Sequence, residues 1–177
     1  DRLELIAQHG NDKPLLITEF GFQDHRSSHL SNPLMEEYGY ALATLAFVFD
    51  GLNRGASGHV FWCLHETMYP GGTHMRYGLW NGKDRNWSVR PVYHAWAMLT
   101  RLTRAGEPVR RVQSDGFPAV QAVQIGPRLF WVNQQDVETQ IRVEGYGPGG
   151  GALYRESTLS GDRECAEPMA AEGGRFI

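Results

Sequence analysis

Leu15-Leu16-Ile17-Thr18-Glu19-Phe20-Gly21 has the composition of a short buried strand. It is a short apolar run closed by one carboxylate, a large aromatic and a glycine. A strand that is apolar on both sides suits a parallel sheet, because helices cover both of its faces. Glu19 is out of place in such a core, since burying an unpaired carboxylate costs several kcal/mol, roughly. It must be paired, protonated or turned towards a cleft. Two readings stay open from spacing alone: a chemical group at the strand end, or a rim glutamate paired to an arginine.

On the N-terminal side, Leu3, Leu5, Ile6 and Ala7 stand among polar residues like the tail of an amphipathic helix, and Gly10 ends it. On the other side, Gln23 to Pro33 is a polar loop carrying His25 and His29, and it follows directly on the glutamate. His25 is therefore a candidate substrate contact. Ser31-Asn32-Pro33 signals a helix start. The spacing of Leu34, Tyr38, Ala41, Leu42, Leu45, Ala46 and Phe49 predicts a helix over 33–52 with one core face. The segment 53–58 reads as a return loop into a second buried strand, 59–64.

Residues 65–90 form a long excursion rich in His65, Glu66, Tyr69, His74, Tyr77, Trp80 and Trp87. Loops this long inside a compact domain are usually functional. Aromatic rings on such a loop suit sugars, whose C–H faces stack on them, although Trp80 and Trp87 could equally pin the loop. His65-Glu66 begins like the zinc-protease pattern, but Tyr69 stands where its second histidine must be. No regular spacing links His59, His65 and His74, so no metal is expected. A helix over 91–104 follows, with Val92, Trp96, Leu99 and Leu102 on one face. The period then changes to short alternating segments at 109–112, 117–125, 129–133, 139–143 and 152–157, separated by glycine-rich turns. That is an antiparallel pattern. The expected division is an α/β part over 1–106 and an all-β appendage, a small sandwich, over 107–177.

Composition narrows the function classes. At 41% hydrophobic and 21% charged residues, a globular protein is expected. A net charge of −3 gives no reason to expect nucleic acid or an anionic membrane as partner. The longest apolar run, 41–49, is half a membrane span. Two cysteines, Cys63 and Cys165, make no disulfide framework, and Cys63 reads as a small core residue. No signal-peptide pattern opens the chain, and secreted and cytoplasmic locations both stay open. All seven histidines lie before residue 107, which places the chemistry in the first part.

Three motifs carry a resemblance. Lys13-Pro14-Leu15-Leu16-Ile17-Thr18-Glu19-Phe20-Gly21 resembles the seventh barrel strand of the clan of retaining glycoside hydrolases built on (β/α)8 barrels, which includes the cellulase-like and β-xylosidase-like families. Gly58-His59-Val60-Phe61-Trp62 resembles their eighth strand. Tyr77-Gly78-Leu79-Trp80 with Arg90-Pro91-Val92-Tyr93 is similar to the passage leading into their last helix. The three occur in the order of those enzymes.

The resemblance implies the last two β/α units of a TIM barrel followed by a β-sandwich. It implies glycosidase activity on an oligo- or polysaccharide, with Glu19 as the catalytic nucleophile and Trp62 beneath the sugar. His65, Trp80 and His25 would be further substrate contacts. No cofactor is implied. In a retaining mechanism a second carboxyl group protonates the leaving oxygen from roughly 5 Å across the bond. In these families it follows an asparagine, and the sequence contains no Asn-Glu dipeptide. Glu66 is an available carboxylate in the wrong place. The acid/base is therefore expected outside this chain.

A barrel needs eight strands and about 250 residues, and only two strand–helix units are found here. The chain is expected to be the C-terminal part of a longer glycosidase, packed against the remainder of the barrel in another chain or a missing segment. Alone it should be inactive and prone to aggregate. The alternative is a non-catalytic carbohydrate-binding or structural remnant in which Glu19 is only a polar ligand.

Overall fold

The computed structural model describes residues 2–10, 13–22, 30–137, 139–141, 143, 151–155 and 165–169. The chain is mixed α/β and divides into two compact units, residues 1–134 and 135–177. In the first, helix α1 (Arg2–His9) precedes strand β1 (Leu15–Phe20), helix α2 (Tyr38–Asn53) and strand β2 (Ala56–Phe61). β1 and β2 pair in parallel, so β1–α2–β2 is a βαβ unit. Two short strands, β3 (Thr67–Met68) and β4 (His74–Met75), make a hairpin within the long loop. Helix α3 (Pro91–Leu102) follows, then an antiparallel sheet of β5 (Val109–Arg111), β6 (Val120–Ile125) and β7 (Arg128–Asn133). The second unit holds one antiparallel pair, β8 (Gly151–Arg155) and β9 (Cys165–Met169).

The described residues form no closed barrel. After α3 the antiparallel strands make two separate small sheets, β5–β7 and β8–β9, and no strand forms at the described residues of 139–143. No helix among the described residues is long and apolar enough to cross a membrane.

Several boundaries differ from the sequence reading, for identifiable reasons. β2 starts at Ala56 rather than 59, because Ala56 and Gly58 pair with Leu15 and Leu16. Their turn-like composition hides a packing need: a side chain at Gly58 would come within 3.2 Å of the Leu16 Cδ2. The helix expected over 33–52 is broken. Pro33–Glu36 is a short 3-10 turn capped by the Asn32 carboxamide oxygen, and an extended Glu37 separates it from α2. The compact first unit also runs past the change of period at 107, because the β5–β7 sheet packs on α2. The Asn53 side chain fixes that packing, donating to the Ala122 carbonyl at 2.8 Å and accepting from the Val112 amide at 3.1 Å.

α2 thus has sheets on two sides, and more than one of its faces is buried. Tyr40, Thr44 and Val48 are covered along with Ala41, Leu45, Ala46 and Phe49, as expected of a helix that is apolar nearly all round. Phe20 and Phe61 point from the parallel pair into this core. Phe20 stacks on Phe47 at 5.2 Å, and Phe20 and Phe61 both meet Trp96 of α3. The opposite face of the pair is bare: Leu16 and Val60 are each 57% exposed.

His59 sits inside the aromatic core, edge-on to Phe20 and Phe47. Neither of its buried ring nitrogens has a hydrogen-bond partner. Burial lowers its pKa from 6.5 to about 4. A depressed folded-state value means that the neutral ring's contribution is fully present above pH 6.5 and is lost as pH falls towards 4. The loss is about 2 kcal/mol after discounting for partial solvent screening. His59→Leu should remove this pH dependence. Measured by urea unfolding, the variant's advantage over the native chain should grow by about that amount between pH 7 and pH 4. Parallel stability profiles for the two proteins would contradict the assignment.

Candidate active site

Glu19 is the last residue but one of β1 and Trp62 follows the last residue of β2, so parallel pairing brings the two strand ends side by side. The Trp62 amide donates to the Phe20 carbonyl at 3.1 Å. Glu19 and Trp62 line one shallow pocket of about 320 Å3, completed by Phe20, Gly21, Phe22, Met75 and Tyr77. Trp62 is 39% exposed, in the pocket that Glu19 also lines.

Two contacts hold the chain as it leaves β1. The Tyr40 hydroxyl accepts from the Phe22 amide at 3.2 Å, and the Asn32 carboxamide donates to the Phe22 carbonyl. Burial raises the Tyr40 pKa, which keeps the hydroxyl protonated. The far wall is anchored to the residue after Trp62, since the Cys63 amide donates to the Tyr77 carbonyl at 3.1 Å. The peptide bond between Trp62 and Cys63 is cis. Cys63 lies just beyond β2 and is half-buried, with its thiol donating to the His65 carbonyl at 3.0 Å.

His65 and Trp80 do not join this pocket. They line a second, larger cleft of about 1310 Å3, together with Glu66, His74 and Trp87 among others. The β3–β4 hairpin separates the two. Successive residues of a strand point to opposite faces, and here His74 faces the large cleft while Met75 faces the Glu19 pocket. His65 is exposed, and its Nδ1 donates to the Glu66 carbonyl at 2.6 Å. His25 lies outside the described residues.

In the wall of the larger cleft lies a buried ionic network that the sequence reading missed. The side chains of Glu66 and Arg90 are only 1% and 2% exposed, and Arg90 Nη2 meets Glu66 Oε1 at 2.6 Å. Arg90 also donates to Asn81 Oδ1 at 2.6 Å, to the Gly78 carbonyl at 2.5 Å and to Glu36 at 2.8 Å. The other Glu66 oxygen takes the Gly82 amide at 3.0 Å and His74 Nε2 at 2.8 Å, with Arg76 at 3.6 Å. Gly78 permits this closure: a Cβ there would lie 2.4 Å from the Glu66 amide nitrogen. Glu66 is therefore a structural anchor of the long loop, with both oxygens engaged.

Donor atoms of Glu66, His74 and Asp84 lie within 4.8 Å of one another, a spacing that a cation could bridge. Arg90 pairs with Glu66, however, and Arg76 with Asp84 at 2.9 Å, so the carboxylates already have cationic partners. The only sequence signal for this network was Arg90-Pro91 at the start of a helix, which says nothing of a partner in another segment. No protein-family model matches the chain, and no curated protein matches it significantly.

Proposed function

We propose that this chain forms part of the catalytic unit of a retaining glycoside hydrolase acting on an oligo- or polysaccharide, as the last two β/α units of a (β/α)8 barrel. One observation carries the reading. An accessible carboxylate and an accessible tryptophan stand at the C-terminal ends of adjacent parallel strands and share one pocket. Active sites of βα-barrels are built at that end. Glu19 attacks the anomeric carbon, and the departing oxygen takes a proton from a second carboxylic acid. Trp62 supports the apolar face of the sugar ring at the reacting subsite.

The pocket's lining contains no second carboxylate among the described residues, and Glu66 is fully engaged elsewhere. The acid/base is accordingly supplied by other strands, which cover the bare face of Leu16 and Val60. A non-catalytic carbohydrate-binding role is the second reading, favoured by that lone carboxylate.

An activated 2-deoxy-2-fluoro glycoside separates the two in the native assembly. The first fluorosugar-linked carboxylate found by peptide mass spectrometry should be Glu19. Labelling of another carboxylate would overturn the assignment, and absence of any turnover or label would leave the binding role as the better reading.

A further inference from the structure

The large cleft is separate from the Glu19 pocket, and its chemistry points to a ligand of its own. It lies between the segment 79–90, the β3–β4 hairpin and the first turn of α3. Trp80 and Val89 face each other across an antiparallel bridge. The Trp80 ring is braced by Tyr93 of α3 at 5.8 Å. At the tip, Asn86 and Trp87 are two successive non-glycine residues in the left-handed region, with φ of 56° and 54°. That conformation is strained for a bulky side chain. The turn is held by Trp87 and Ser88 amides donating to the Gly82 and Arg85 carbonyls. Its product is an indole held 56% exposed at the cleft rim, beside Met68 and Val89, which are also exposed. Burial of the ring elsewhere would be the favourable outcome for folding alone.

The electrostatics favour a neutral ligand. Glu66 is paired to Arg90, and Asp84 to Arg76, so the carboxylates of the lining are compensated. Lys83 contributes a single ammonium at the mouth, too little for a polyanion. The volume of about 1310 Å3 exceeds what one compact small molecule fills. Large aromatic faces with hydrogen-bonding groups at the rim match a chain of neutral sugar rings, apolar on their C–H faces and polar at their edges.

We infer that the cleft walled by Trp80, Trp87 and Tyr93 is a second, non-catalytic carbohydrate site that holds a neutral oligosaccharide chain. This inference stands whether or not Glu19 is a nucleophile. It is tested by affinity electrophoresis of the native assembly carrying Glu19→Gln, in gels containing xylan, glucomannan or mixed-linkage β-glucan, with polygalacturonate as the anionic control. At least one neutral gel should retard the protein, and Trp87→Asn should weaken that retention by about tenfold. Asparagine tolerates the left-handed backbone, so the loop survives while the ring is lost. Trp87→Phe should restore much of the binding, and Trp62→Ala should leave a Trp87-dependent component in place. Failure of all neutral gels, retardation in polygalacturonate alone, or loss with Trp62→Ala but not with Trp87→Asn would each overturn the second site. Hydrolysis of a small chromogenic glycoside by the Glu19-containing assembly reports on the first site independently.

Discussion

If Glu19 is the nucleophile proposed, replacing it by glutamine is expected to lower the kcat/KM of the native assembly on glycosides by about a thousandfold or more, equivalent to roughly 4 kcal/mol of transition-state stabilisation. Glutamine keeps the size and much of the polarity of the side chain but cannot displace the leaving group. Because Glu19 is accessible at a strand end and makes none of the core contacts, the fold should be unaffected. The loss should therefore appear in kcat with little change in the unfolding midpoint. A nucleophile has a further signature that a positioning residue lacks. Glu19→Ala should regain turnover with added azide, which enters the vacated space, bonds to the anomeric carbon and expels the leaving group. Unchanged activity of Glu19→Gln on every hydrolysed glycoside would remove Glu19 from the mechanism.

Arg90→Ala should give the largest loss of stability, about 3–5 kcal/mol, because it strands the Glu66 carboxylate in the interior. Four acceptors depend on the one guanidinium: Glu36, Glu66, Gly78 and Asn81. Lysine brings a compact ammonium without the planar fork and should rescue little. Thermal unfolding of the chain in its native assembly should show a midpoint lowered by roughly 10 °C. The double variant Arg90→Met with Glu66→Met should recover a large part of the loss, since no buried charge is then left unpaired. A loss below about 1 kcal/mol for Arg90→Ala would mean that the pair does not hold the loop.

β1, β2 and α3 were legible in the residues to within a few positions, and α2 apart from its separated first turn. A buried apolar run and a 3.6-residue period are local signals, and burial enforces both. The resemblance placed Trp62 beside Glu19 as an expectation; the two line one pocket, because parallel neighbours bring their C-terminal ends to one edge. The antiparallel character of the later strands was legible in their alternation and glycine turns, but their partners were not. β5–β7 found α2, whose apolar surface runs wider than the single stripe its spacing suggests.

The rest of the site depends on contacts between segments far apart in the chain. Glu66 and Arg90 are 24 residues apart, and no period links an acid on a loop to a base at a helix start. His65 and Trp80 belong by composition to the same aromatic loop as Tyr77, which does reach the Glu19 pocket. A two-residue strand sends His74 to one side and Met75 to the other, and the hairpin that contains it divides the loop between two clefts. Which cleft a loop residue enters depends on the path of the folded backbone, and that path is fixed by a buried ion pair rather than by the order of residue types along the chain.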